Sequence, residues 1–316
     1  MSESLGAKLQ QPVVGRLAII GCGLIGSSLA RVSRRKNIAA EIVVADASAQ
    51  VCARARELGF ADRVDEDAVA AAKDADLTIL CVPVGANAAI AEKIGPHLKQ
   101  GSILSDVGSV KGAVATAIAP FVPAGVNLIP AHPVAGTEQS GPDAGFATLF
   151  LNRWCILTPP TDVDQAALNT LAAFWTAAGS NVETMSAEHH DLVLAITSHV
   201  PHLIAYNIVG TAADLEEVTQ SEVIKFSAGG FRDFTRIAAS DPTMWRDVFL
   251  NNKEAVLEIL GRFAEDLSAL QRMIRWGDGD GLFTLFTRTR NIRRSIIESG
   301  QETSAPDFGR HQGDDQ

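Results

Sequence analysis

Short apolar runs alternate with amphipathic stretches over the first half of the chain, and long amphipathic stretches fill the second. Arg16–Ile20 reads as a buried strand, and Leu24–Lys36 after it has helical spacing. The pattern then repeats as strand Glu41–Asp46, helix Ala49–Leu58, strand Leu77–Val82 closed by Pro83, and helix Ala86–Leu98. A strand at Ser102–Val107, a helix near Val110–Ala119 and the apolar run Val126–Pro130 follow. Strands alternating with helices of this length predict an α/β domain built on a parallel, doubly wound sheet. Two more strand-like runs, Arg153–Leu157 and Asn181–Thr184, flank a helix over Asp164–Ala178, while the Gly-, Ser- and Asp-rich Thr137–Phe150 reads as a loop or lid. From Ser186 the spacing predicts helices over His189–Ala213, Glu216–Phe226, Met244–Trp276 and Gly281–Glu298, with Val256, Leu260, Phe263, Leu267 and Leu270 on one face. The predicted organisation is a loose leader (1–15), a sheet domain (16–185), an all-α domain (186–298) and a disordered polar tail (299–316).

The length of 316 residues suits two domains, and 47% hydrophobic against 20% charged residues supplies material for their cores. A net charge of −10 argues against a nucleic-acid surface. The basic cluster Arg31–Lys36 falls at the end of a predicted helix, where cations suit the dipole, and Arg288–Arg294 alternates with apolar residues as a solvated helix face does. Cys22, Cys52, Cys81 and Cys155 show no C-x-x-C spacing and read as small thiols of a reducing compartment. Met1–Val14 lacks the apolar core of a signal peptide, and no window approaches the ~20 uninterrupted apolar residues of a spanning helix. The expectation is a cytoplasmic protein with no membrane or nucleic-acid partner.

The glycines Gly21, Gly23 and Gly26 form a G-x-G-x-x-G between a predicted strand and a predicted helix, with Asp46 closing the next strand. That context is what a Rossmann-type dinucleotide site requires: glycines admit the tight turn and the pyrophosphate, and the helix N-terminus binds its charge. The predicted cofactor residues are Gly21, Gly23, Leu24, Ile25, Gly26 and Asp46, with Val82 and Pro83 at the end of the third strand. A glycine turn serving only strand–helix packing is the plainer alternative. Asp46 would accept from the ribose hydroxyls, and Ala47-Ser48 offers no arginine for a 2′-phosphate, which favours NAD over NADP. Ser48 suits the N-cap of the following helix better than Asp46 does.

The segment A-H-P-V-A-G-T-E, Ala131 to Glu138, puts one histidine in a Gly/Pro-bounded turn directly after an apolar run, at the carboxyl edge of the predicted sheet. Imidazole is suited to taking a proton near neutral pH, so His132 handling a proton while a nicotinamide takes a hydride is the chemistry implied. Ser109, in Asp106–Lys111, reads either as the N-cap of a helix or as a hydroxyl orienting that imidazole, and Lys111 as structural or cofactor-facing. In Thr197–His202, Pro201 interrupts a helix between two histidines, which predicts a kink and a freed carbonyl. No H-E-x-x-H or nearby carboxylate and thiol set completes a metal site. In Ala228–Arg236, Arg232 and Arg236 stand among aromatics, and spacing does not decide which would pair with a carboxylate.

Together, D-V-G-S-V-K (106–111), H-P-V-A-G-T-E (132–138), S-H-V-P-H (198–202) and G-G-F-R-D-F-T-R (229–236) resemble the prephenate and arogenate dehydrogenases of tyrosine biosynthesis. The likeness runs from about Arg16 to Glu298, and the continuation to Phe146 is similar to the bacterial cyclohexadienyl dehydrogenase branch. The resemblance implies NAD-dependent oxidative decarboxylation, giving 4-hydroxyphenylpyruvate from prephenate or tyrosine from arogenate. It implies that His132 is the catalytic histidine and Ser109 (also cofactor-facing) its hydrogen-bonding partner. It implies that Arg236 binds a substrate carboxylate, that Ser198, His202 and Glu138 line the pocket, that Asp233 belongs to a gate, and that Trp245 contributes to the pocket. It further implies a homodimer paired through helical domains. The competing reading is another dehydrogenase of this layout, such as a β-hydroxyacid dehydrogenase; that class uses a lysine base where this chain offers His199 and His202.

Overall fold

Val14–Ile20 form the central strand β1, whose last four residues are buried, as befits a parallel strand covered on both faces. The computed structural model describes residues 7–137, 139–219 and 229–298. Strand β1 pairs in parallel with β2 (Ala39–Ala45) on one side and β4 (Leu77–Leu80) on the other. Strand β3 (Arg63–Asp65) lies beyond β2, and β5 (Ile103–Asp106) and β6 (Asn127–Leu128) lie beyond β4. The resulting order, β3-β2-β1-β4-β5-β6, reverses between β1 and β4, which opens a crevice at the carboxyl ends of those strands. Side chains alternate across the sheet: Leu17, Ile19, Ile42 and Val44 enter one core, and Ile20, Val43, Ala45 and Leu80 the other.

Helices α1 (Leu24–Lys36) and α2 (Ala49–Leu58) follow the expected bounds, and the Ser48 side chain caps α2 by accepting from the Val51 N–H. The short β3 and α3 (Ala68–Ala72) escaped the pattern because three and five residues are too few to show a period. Helices α4 (Asn87–Ile94) and α5 (Gly112–Ile118) each end in a 3₁₀ turn, and α6 (Gln165–Ala178) is capped by Asp164. The leader is less loose than expected, since the Leu9 N–H donates to Lys36 O and the Val13 N–H to Ile38 O.

A second sheet of three strands, β7 (Ala131–Pro133), β8 (Trp154–Leu157) and β9 (Asn181–Thr184), has β7 antiparallel and β9 parallel to β8. His132 therefore sits in a strand opposite Ile156, not in a turn on the parallel sheet. Pro130 has no N–H to continue the β6 ladder, and its carbonyl instead accepts from Thr158 N–H beside β8. The segment expected as a lid is also docked over its second half. Ala147, Leu149 and Phe150 are buried, the Phe146 N–H donates to Ser28 Oγ, and Asp143 pairs with Arg54 of α2. Its apolar residues outweigh its turn-forming composition.

The helical region begins with α7 (Ala187–Leu194), which passes through a π turn at Ala195–His199 into α8 (Val200–Thr219). Pro201 thus follows a widened turn within a continuous helical run. That run, over Ala187–Leu215, is by length and composition apolar enough to cross a bilayer (mean hydropathy 1.5), which counting uninterrupted apolar residues did not show. Its His190, Asp191 and His199 are nevertheless buried in hydrogen bonds to other elements, as in a core helix. Helices α9 (Gly229–Thr235), α10 (Pro242–Asn251), α11 (Lys253–Trp276) and α12 (Gly279–Glu298) follow. The stretch expected as one helix over Met244–Trp276 breaks at Asn252, whose side chain turns to bond elsewhere. Residues 220–226 of the helix expected over Glu216–Phe226, and the tail 299–316, lie outside the described residues. The chain divides into two compact units, up to Val256 and from Leu257. The first holds both sheets; the second holds most of α11 and all of α12, with Leu257, Leu267, Ile274, Trp276, Phe283 and Phe286 exposed.

Candidate active site

The turn from β1 to α1 is shaped by what its glycines lack. Gly21 has φ +101°, and a Cβ there would strike the Cys81 carbonyl, while one on Gly26 would strike the Gly21 carbonyl. Open space faces Gly23, and α1 starts there with no side-chain cap, which leaves its first N–H groups and positive dipole end for an anion. Leu24 and Ile25 are half-buried in the first turn. Val82 and Pro83 follow β4 on the other side of the β1/β4 crevice. The Asp46 carboxylate accepts from Cys22 N–H and Ser48 N–H, each at 2.9 Å, so it braces the glycine turn from the end of β2. Burial and the nearby Asp46 push the Cys22 thiol up to about 12, so it adds no negative charge to the turn. These residues fit a dinucleotide: the pyrophosphate would meet bare N–H groups, and Asp46 would lie near a ribose.

His132 lies at the centre of a chain of buried polar groups. Its Nδ1 is 2.8 Å from Nε2 of His190, whose own Nδ1 is 2.8 Å from Oδ1 of Asp191. The same carboxylate accepts from the Lys111 N–H at 2.8 Å and the Gly112 N–H at 2.9 Å. Asp191 therefore does for α5 what Ser109 was expected to do, because the helix begins three residues after Ser109, beyond reach of its hydroxyl as an N-cap. His132 retains 8% exposure, and its Nε2 bonds to no described residue. Burial, with His190, Lys111 and His199 nearby, holds the His132 imidazole well below its ordinary range, so it is neutral and able to accept a proton at physiological pH. Asp191 is held below the usual carboxylate range: burial opposes ionisation, and its hydrogen bonds from His190, Lys111 and Gly112 prevail.

Lys111 joins the two strands that carry the candidate residues. Its side chain is fully buried, with Nζ donating to Asp106 Oδ2 at the end of β5 and to the Ala131 carbonyl of β7. The turn holding Ser109 is thereby tied to the strand holding His132. Burial pushes the Asp106 carboxyl up and the Lys111 ammonium down, against their mutual attraction. The role is structural.

A second group gathers around the π turn. Trp245 of α10 stacks on His202, with ring centroids 3.7 Å apart, and meets His199 edge-on at 6.1 Å. His202 Nδ1 donates to the Ser198 carbonyl, and its Nε2 has no partner among the described residues. Burial and the charge of Arg236 lower the His202 imidazole. His199 is pushed down to about 4, mainly by burial, and the Ser109 backbone lies against it. Asn252 donates through Nδ2 to His199 Nδ1 and to the Asp191 carbonyl, which joins this group to the His132 chain. Asp233 is exposed on α9. Glu138 lies outside the described residues. His190, Asp191 and Asn252 were missed by sequence reasoning; the only signal was an adjacent histidine and aspartate just inside a helix N-terminus. Among the described residues no group of three or more His, Cys, Asp or Glu side chains is placed to hold a metal ion.

A doubly wound sheet with such a crevice is the frame of a dinucleotide-dependent oxidoreductase. The prephenate dehydrogenase nucleotide-binding domain profile matches residues 29–184, and the prephenate dehydrogenase dimerization domain profile matches residues 186–288. A cyclohexadienyl dehydrogenase of Zymomonas mobilis is 42% identical over 284 residues, covering 90% of this chain and 97% of that protein. A prephenate dehydrogenase of Bacillus subtilis is 30% identical over 89% of this chain and 76% of its own length. The crystal structure of an A. aeolicus prephenate dehydrogenase, in complex with hydroxyphenyl propionate and NAD+, superposes with a TM-score of 0.83 at 32% identity, covering 89% of this chain and 98% of that one. The chain belongs to the prephenate dehydrogenase family.

Proposed function

We propose that this protein uses NAD to oxidise prephenate, arogenate or both, with loss of the ring carboxylate as carbon dioxide and aromatisation of the ring. The observation that carries the reading is His132, a buried neutral imidazole with one ring nitrogen fixed by His190 and the other without a partner among the described residues. Bound NAD supplies the hydride acceptor. Gly21, Gly23, Leu24, Ile25 and Gly26 would hold its pyrophosphate, Asp46 a ribose, and Val82, Pro83 and Ser109 the remainder of the crevice. His132 Nε2 takes the proton of the ring hydroxyl, a contribution of about 10²–10⁴-fold to such steps. Ser109 orients the substrate hydroxyl toward that nitrogen. Arg236 pairs with a substrate carboxylate, and His202, Ser198 and Trp245 line the pocket, with Asp233 at its mouth.

The same reading divides the chain near residue 186 into a nucleotide-binding domain and a helical domain that binds substrate and pairs two copies into a homodimer. The exposed apolar side chains of α11 and α12 support the pairing, and a cytoplasmic location suits such an enzyme. The test is NADH formation by the purified protein, with NAD plus prephenate and separately with NAD plus arogenate. Turnover of either supports the assignment and reports specificity; silence with both, while NAD binds, overturns the substrate assignment.

A further inference from the structure

We propose that His190 and Asp191 are positioning residues for the proton transfer: they fix His132 in the tautomer whose Nε2 is bare, and they steady the cation that forms when Nε2 takes a proton. This rests on His132 being the base and adds what sets that base.

A carboxylate only accepts, so the 2.8 Å contact to Asp191 Oδ1 places a proton on His190 Nδ1. Three donors converge on that carboxylate, from His190, Lys111 and Gly112, so its orientation is locked. A neutral imidazole protonated at Nδ1 carries its lone pair at Nε2. His190 Nε2 is therefore an acceptor, and the proton in its 2.8 Å contact with His132 belongs to His132 Nδ1. His132 Nε2 is left with a lone pair. The reverse arrangement would need a cationic His190 at 0% exposure with the Lys111 ammonium nearby. The titratable groups around His132 are His190 and Asp191 on α7, Lys111 and Asp106 at the β5–α5 turn, His199 on the π turn and Cys155 on β8. Of these, Lys111 is matched by Asp106, which leaves Asp191 as the anion whose charge reaches His132 through a hydrogen-bonded ring.

When Nε2 takes the hydroxyl proton, the Nδ1 proton stays in place, donated to His190, and Asp191 remains ionised. The arrangement resembles the aspartate of a hydrolase triad, which holds its histidine in one tautomer without taking the proton, with a second imidazole interposed.

Two measurements on the full-length protein test this. Nitrogen NMR of the histidine-labelled protein near neutral pH, with His132 assigned by the signals lost in His132→Asn, is expected to show Nδ1 protonated and Nε2 bare. The opposite tautomer overturns the proposal. In kinetics, His190→Phe removes the acceptor and is expected to lower kcat on the order of 10²-fold, with KM changed by less than about twofold. His190→Gln, whose amide oxygen can accept the Nδ1 proton, is expected to recover about tenfold of that loss. Full kcat in His190→Phe overturns the proposal. If the wild type turns over neither substrate, or His190→Phe does not fold, the tautomer measurement decides alone, and the first of these outcomes counts against the reaction instead.

Discussion

His132, His190, His199 and His202 are all buried enough to be lowered from the ordinary imidazole value, and the pH response of the protein follows from that. As pH falls through about 6.5 the unfolded chain takes up protons that the folded chain refuses, so stability declines from there downward. For His199 the decline ends near its folded value of about 4, and complete passage costs on the order of 3–4 kcal/mol at about 1.4 kcal/mol per unit. Urea unfolding at a series of pH values checks this; a flat profile between pH 6.5 and 4 would contradict it. Asp191, being lowered, loses its contribution only at more acid pH, as pH drops through its folded value. At the same scale, His132→Asn is expected to lower kcat with little change in KM, and Arg236→Ala mainly to raise KM, read by steady-state kinetics. The glycine turn was legible because its residues answer to local backbone geometry. His190 and Asp191 were not, because what gives them meaning is contact with His132, Lys111 and Gly112, 58 to 80 residues away.

At the scale of elements, the alternation of runs announced the parallel sheet and its helices, since fully buried strands and amphipathic helices differ in period. It misassigned β7, because the apolar run before Pro130 and the short Ala131–Pro133 after it read as one strand ending in a turn. The pattern also could not show that Asn252 separates α10 from α11. Lys111 joins β5, α5 and β7 within a core of 0% exposure, so Lys111→Met leaves Asp106 without its counter-ion and is expected to destabilise by about 3–5 kcal/mol. Breaking the exposed Arg54–Asp143 pair by Arg54→Ala is expected to cost at most about 1 kcal/mol. Thermal and denaturant unfolding of the two variants side by side would show whether burial sets the difference.

At the scale of the molecule, composition and charge argued against a nucleic-acid surface, and the order of motifs placed the chain in its family. They did not show which side chains of the apolar helices are left exposed. Trp276 is 74% exposed and Phe283 72%, an expensive arrangement for a lone chain in water. On the proposed homodimer, replacing Leu267 and Phe283 together by Glu is expected to shift the mass in light scattering from that of two chains to that of one. An unchanged mass would place the pairing surface elsewhere.

The carboxylate of Asp191 has a consequence for modularity. It belongs to the helical part of the chain, yet it closes the N-terminus of α5 and, through His190, sets a ring on β7. A fragment ending near residue 185 would keep every glycine of the β1–α1 turn and lose the groups that hold the His132 ring. Chimaeras that exchange the helical part between relatives would have to bring a matching histidine–aspartate pair with it. The two halves can be separated on a sequence diagram, but the setting of His132 is shared property.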